Sequence, residues 1–181
     1  TRLLGGEPRL GLHGGGNTSV KTEASDLVGE RFDVLCVKGS GWDMATIEPA
    51  GLPAVKLNPL LKARAFDKLS DEDMVTLQRA NLIDPASPNP SVETLLHAFL
   101  PQKFVNHTHS TAVLAIVDQA ESRRLADAAF GDRFAFVPYI MPGFALAKAS
   151  AEAFEAKPDA DALILDKHGI FHLRRDRERG L

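Results

Sequence analysis

The chain has 181 residues, 44% of them hydrophobic and 25% charged, the balance of a globular protein with a core of ordinary size. Its net charge of −3 gives no electrostatic basis for binding nucleic acid or an anionic membrane surface. No apolar run approaches the roughly 20 residues of a bilayer span, and no N-terminal stretch is built like a signal peptide, so a cytoplasmic protein is expected.

Residues 1–16 are Gly-rich and lead into Leu12-His-Gly-Gly-Gly-Asn17. Three consecutive glycines let a backbone approach a ligand closely, and they serve equally well to turn a chain. The spacing is neither that of a dinucleotide-binding turn nor that of a phosphate loop ending in Gly-Lys-Ser/Thr. Phe32 to Val37 reads as a buried strand, in which Cys36, the single cysteine, is expected as a small hydrophobe. It runs into Lys38-Gly-Ser-Gly-Trp-Asp43, where glycines around Ser40 make either a cradle of N–H groups for an anion or a plain loop.

Pro53 to Leu57 reads as a short strand. Asn58-Pro-Leu-Leu is expected to open a helix with Asn58 as its cap, and Ser70-Asp-Glu-Asp73 resembles a capping box. Three prolines between Asp84 and Pro90 impose a loop. Ser91 to Leu100 reads as a helix with Ser91 as N-cap and Glu93 in its first turn, where Glu93 either complements the helix dipole or faces a site.

A strand over 104–109 delivers His107 and His109, two residues apart. Such residues share one face of a strand, so two imidazoles can share one cation, or simply close the strand as surface histidines. Helices are expected from Thr111 to Val117, from Glu121 to Phe130 and from Phe144 to Lys157, with a strand from Phe134 to Tyr139. Ala162 to Leu165 is a buried strand delivering His168-Gly169, and Ile170 to Leu173 continues it or returns. Strands alternate with helices, giving an α/β fold. His13 and His172 read as ordinary polar surface residues, whereas His97, one turn after Glu93, either orients it or is a satisfied core histidine.

In this order, Gly15-Gly16-Asn17, Ser40-Gly41, Ser91-x-Glu93 with His97, His107-x-His109, Tyr139 and His168-Gly169 resemble the class II aldolase/adducin family over about residues 10–173. The resemblance implies a three-layer α/β/α domain with a largely antiparallel sheet, expected here as one domain over 1–181 and assembled as a homotetramer. It implies that His107, His109 and His168 bind Zn2+ or another divalent metal. Gly16, Asn17, Ser40, Gly41 and Ser91 would hold a substrate phosphate, Glu93 would be the acid/base, and Tyr139 would donate a proton in a neighbouring subunit's site. The implied activity is cleavage of a small phosphorylated sugar, a ketose 1-phosphate, to dihydroxyacetone phosphate and an aldehyde. The alternatives are a pentulose-phosphate 4-epimerase, a sugar-phosphate dehydratase, or a non-catalytic adducin-like interaction module.

Leu12–Lys21 and Lys38–Asp43 look closer to one branch, the aldolase half of bifunctional rhamnulose-1-phosphate aldolase/short-chain dehydrogenase proteins. With no initial Met and a charged end, Arg174–Leu181, the chain is expected to be a piece of such a protein. Two departures stand out: Val92 replaces a second serine, and Lys38 precedes Gly39-Ser40, where its ammonium is expected to supply the lost phosphate donor.

Overall fold

The computed structural model describes residues 1–173, so the charged run Arg174–Leu181 lies outside the described residues. A short helix α1 (Arg2–Gly5) precedes strands β1 (Asn17–Ser25), β2 (Arg31–Val37) and β3 (Ala54–Lys56). Helices α2 (Leu57–Lys62), α3 (Asp71–Ala80) and α4 (Thr94–Phe99) follow, then β4 (Phe104–Thr108), α5 (Thr111–Val117), α6 (Ser122–Phe130) and β5 (Phe134–Val137). Helix α7 (Phe144–Ala156) leads to β6 (Ala162–Leu165) and β7 (Gly169–His172).

The seven strands form one sheet in the order β3-β2-β1-β4-β7-β6-β5. Every pairing is antiparallel except β5 with β6. That one parallel pair needs a crossover, and α7 supplies it. Alternation along the strands sends side chains to two apolar layers. Leu163, Leu165 and Phe171 join α2, α3, α4 and α7 on one face, whereas Ile164 and Ile170 join α5 and α6 on the other. The result is the expected three-layer α/β/α sandwich with a largely antiparallel sheet.

Several element ends differ from expectation for local reasons. Helix α3 begins as its capping box predicts, with Ser70 Oγ accepting from the Asp73 N–H at 3.1 Å, a cap contributing about 1 kcal/mol. Helix α2 instead starts at Leu57, and no side chain caps it. Helix α4 starts only at Thr94, because Ser91 Oγ accepts the Glu93 N–H and the Thr94 hydroxyl donates to the Ser91 carbonyl. Glu93 therefore stands at the cap position, not within the first turn. The strand β1 was not expected from its polar composition. Among the described residues no helix is long and apolar enough to cross a membrane.

Candidate metal centre

His107 lies on the same face of β4 as the core residue Val105 and is fully buried. Phe171 of β7 stacks against its ring at a centroid distance of 4.2 Å and 14°. Its Nδ1–H donates to the Ile170 carbonyl at 3.1 Å, which leaves Nε2 as a lone pair on the side of His109 and Glu93. His109 continues this face just beyond β4, and its Nε2 lies 3.0 Å from His107 Nε2. His168 enters from the turn between β6 and β7. One ligand atom from each of the three histidines lies within 4.8 Å of the others.

Glu93 completes the cluster from the start of α4. Its Oε2 lies 3.5 Å from His107 Nε2 and its Oε1 lies 3.5 Å from His168 Nε2. The carboxyl is buried, and Oε1 has no hydrogen-bond partner among the described residues. An orphaned carboxylate oxygen and imidazole lone pairs converging on one point leave acceptors without donors. A divalent cation held by the three imidazoles would supply their missing partner and set a positive charge beside Glu93. Three neutral imidazoles with an adjacent carboxylate suit zinc, and they leave a coordination position open.

Burial, the largest influence, pushes the pKa of His107 well below its ordinary value and lowers those of His109 and His168, so all three stay neutral, the form that ligates metal. Burial likewise pushes the Glu93 carboxyl upward, against the pull of His168, the Asn17 hydrogen bond, His109 and Lys38.

Asn17 opens β1 opposite His107 in the β1–β4 register. Its Nδ2 donates to Glu93 Oε2 at 2.7 Å and to Ser91 Oγ at 3.1 Å. Gly16, at φ +72°, has room for no side chain, because a Cβ there would stand 2.8 Å from the His107 carbonyl oxygen. Ser40 and Gly41 are exposed on the loop after β2. The Ser40 N–H is engaged by the Asn89 carbonyl at 2.8 Å, so of the expected cradle the Ser40 hydroxyl and the Gly41 N–H form no hydrogen bond among the described residues. Gly41 has φ +80°.

Lys38 departs from expectation. It is 3% exposed, and its Nζ donates to the carbonyls of Trp42 at 2.6 Å, Gly14 at 3.1 Å and Gly39 at 3.5 Å. With three carbonyls around it, the ammonium ties the Gly-rich loop to the Ser40 loop and is not presented to a ligand. Tyr139 is not brought to the cluster: it is 54% exposed, and its hydroxyl meets only Met141 Sδ at 3.4 Å. Cys36 is half-buried, as a free thiol whose pKa burial raises.

Two further residues support the cluster, of which the sequence singles out His97 and not Ser19. His97 is fully buried, with Nε2 against Asn17 Oδ1 and Nδ1 2.7 Å from Ser19 Oγ. Ser19 shares its strand face with Asn17, a relation visible only once β1 is recognised as a strand.

The sequence profile of the class II aldolase and adducin N-terminal domain matches residues 1–179. A protein described as an uncharacterized oxidoreductase of Bacillus subtilis (strain 168) is 40% identical over 170 residues, covering 94% of this chain and 25% of the relative. The chain thus spans about a quarter of that relative's length. The N-terminal class II aldolase domain of a conserved protein from Thermoplasma acidophilum superposes with a TM-score of 0.86 at 41% identity, over 95% of this chain and 79% of that one. L-fuculose-1-phosphate aldolase from Thermus thermophilus shares the fold at a TM-score of 0.57 and 18% identity, over 96% of this chain and 78% of that one. With the profile covering nearly every residue and an aldolase domain matching so much of the backbone, the chain belongs to the class II aldolase and adducin N-terminal domain family.

Proposed function

We propose that this domain is a metal-dependent aldolase that cleaves a ketose 1-phosphate, of the rhamnulose or fuculose type, to dihydroxyacetone phosphate and a small aldehyde. The observation that carries this reading is the Glu93 carboxylate, buried against two of three convergent imidazoles with one oxygen unsatisfied. His107, His109 and His168 hold the divalent cation, with zinc favoured by the donor set. When bound, the cation supplies Lewis-acid stabilisation of negative charge, on the order of several kcal/mol.

The chain's own groups do the rest. Glu93 moves the proton at the carbon where the bond breaks, and burial brings its carboxyl toward the pKa range in which it can both take and give that proton. Gly16 lets the backbone approach the ligand, while Ser91 and the unpaired donors of Ser40 and Gly41 face the phosphate. Tyr139, exposed on its own protomer, serves as proton donor in a neighbour's site within a homotetramer. The domain works beside a dehydrogenase in a longer chain, a pairing supported by the relative described as an oxidoreductase and only 25% covered.

The direct test runs the reaction in its synthetic direction. Zinc-loaded protein given dihydroxyacetone phosphate and lactaldehyde is expected to yield a ketose 1-phosphate, followed by NMR. Glu93→Gln is expected to keep its zinc and lose on the order of 10²-fold or more in kcat. A wild-type protein that binds no zinc, or a Glu93→Gln variant of undiminished rate, overturns the proposal.

A further inference from the structure

Among the described residues, only His13 and Lys167 combine a side chain with a positive φ, +55° in each. Side chains disfavour that region, and backbone held there against its preference concentrates at functional sites. Both residues flank the candidate metal centre. Lys167 directly precedes His168, so its turn of the backbone delivers a metal ligand. No such account serves His13, which is followed by three glycines free to make whatever turn the chain requires.

The turn that carries His13 is held from three directions. The Gly15 N–H donates to the Leu12 carbonyl at 3.0 Å, closing the turn around His13 and Gly14. A Cβ on Gly15 would stand 3.0 Å from Nδ1 of His109, so the turn lies against that ring. Lys38 Nζ donates to the carbonyls of Gly14 at 3.1 Å and Trp42 at 2.6 Å, so a single ammonium joins the turn to the loop of Ser40 and Gly41. His13 itself is exposed, forms no hydrogen bond among the described residues and stands outside the group of three converging imidazoles. Neither packing nor metal ligation therefore accounts for its conformation.

We infer that His13 is a substrate-binding residue whose imidazole N–H donates to the substrate's phosphate, beside the free donors of Ser40 and Gly41. This rests on the reading of the substrate as a ketose 1-phosphate. Either neutral tautomer of imidazole offers one N–H donor. On a turn bridging His109 and the Ser40 loop, that donor is placed to share an anion with the loop's two unengaged donors. Lys38, surrounded by three carbonyls, holds the turn in place and leaves the contact to His13. The residue type fits the conformation as well. After glycine, the residues most enriched at positive φ are Asn, Asp and His, and of these Asp would repel an anion.

His13→Gly separates the side chain from the backbone. Glycine takes φ +55° without strain, which offsets the added freedom of the unfolded chain, so this variant should melt close to the wild type. The probe is glycerol 3-phosphate, which has the phosphate but no carbonyl to meet the metal, and which needs no turnover. Its binding to zinc-loaded protein is read from the fluorescence of the single tryptophan, Trp42, two residues from Ser40. His13→Gly should weaken that binding about 10-fold, the loss of one hydrogen bond to a charged group. His13→Asn, which keeps an N–H donor and tolerates positive φ, should retain most of the affinity. In synthesis, His13→Gly should raise the KM for dihydroxyacetone phosphate and leave that for lactaldehyde unchanged.

A raised KM for lactaldehyde alone would move His13 to the other half of the substrate and overturn the inference. A markedly lowered melting temperature in His13→Gly would also overturn it, by making the imidazole a prop of the turn. Synthesis of a ketose 1-phosphate with undiminished glycerol 3-phosphate binding in His13→Gly would refute this role and leave the aldolase reading intact. Binding that depends on His13 in a protein that makes no ketose 1-phosphate would refute the aldolase reading and leave the phosphate contact standing.

Discussion

At the scale of single residues, burial disfavours the charged form of every side chain in the candidate metal centre. Burial lowers the pKa of His97, His107, His109, His168 and His172 below the ordinary 6.5, while it raises that of Glu93 above 4.5. Below pH 6.5 the unfolded chain takes up protons on these imidazoles that the folded chain refuses, so stability falls as pH falls. Glu93 acts in the opposite sense, because between 4.5 and its raised pKa the folded state holds the extra proton. One carboxyl stands against five imidazoles, and the imidazoles prevail. The metal-free protein is therefore expected to melt at progressively lower temperature as pH drops from about 7 to 5. Added zinc should hold the melting temperature up over the upper part of that range, since ligation competes with protonation. A Tm that rises on acidification without metal would contradict the assignment of buried neutral histidines.

At the scale of elements, the site depends on several connections, and they are unequally legible in the sequence. The pair on β4 and the third histidine after β6 followed from apolar runs ending in His, since the buried ends of strands are easily read. Strand β1 was not legible. Asn17–Ser25 holds only Val20 and Ala24 as apolar residues, and of its buried first half Asn17 and Ser19 are polar because they meet Glu93 and His97. The start of α4 was misplaced for a related reason: Ser91 and Thr94 hydrogen bonds make a tight turn that local propensity cannot distinguish from a helix. The charge of Lys38 suggests a phosphate donor, whereas its carbonyl partners at Gly14, Gly39 and Trp42 give it a structural role that only the folded loops reveal.

Two variants test these connections. At the first residue of β7, a Cβ on Gly169 would stand 2.6 Å from the Thr108 carbonyl oxygen and 3.1 and 3.3 Å from the rings of His107 and His109. Gly169→Ala should spread the histidines and weaken zinc binding by on the order of 10-fold or more in a competition titration, with the fold retained. Lys38→Met keeps the stem but strands the Gly14 and Trp42 carbonyls. The loss of two good hydrogen bonds outweighs relief of a buried ammonium whose pKa burial already lowers. Urea unfolding should register about 1–3 kcal/mol of destabilisation, and hydrogen exchange should quicken in residues 11–16 and 39–43 while zinc stays bound.

At the scale of the whole molecule, a protomer holds the candidate metal ligands and Glu93 together but turns Tyr139 outward, beside Met141, which is 71% exposed. Large side chains left exposed next to one another mark a contact surface, and a cyclic assembly sets the same surface of each copy against a different surface of the next. If Tyr139 completes a neighbour's site, Glu93→Gln and Tyr139→Phe damage different halves of one centre. Each variant alone should be nearly inactive. Mixed by co-expression, a site whose own chain carries Glu93 and whose neighbour carries Tyr139 is whole, so the mixture should recover about a quarter of wild-type activity in a random ring. Sites contained within one protomer would recover nothing, because every chain carries a lesion. Restored activity, together with sedimentation as an oligomer, would establish that the protomer supplies the metal centre and its neighbour the final proton.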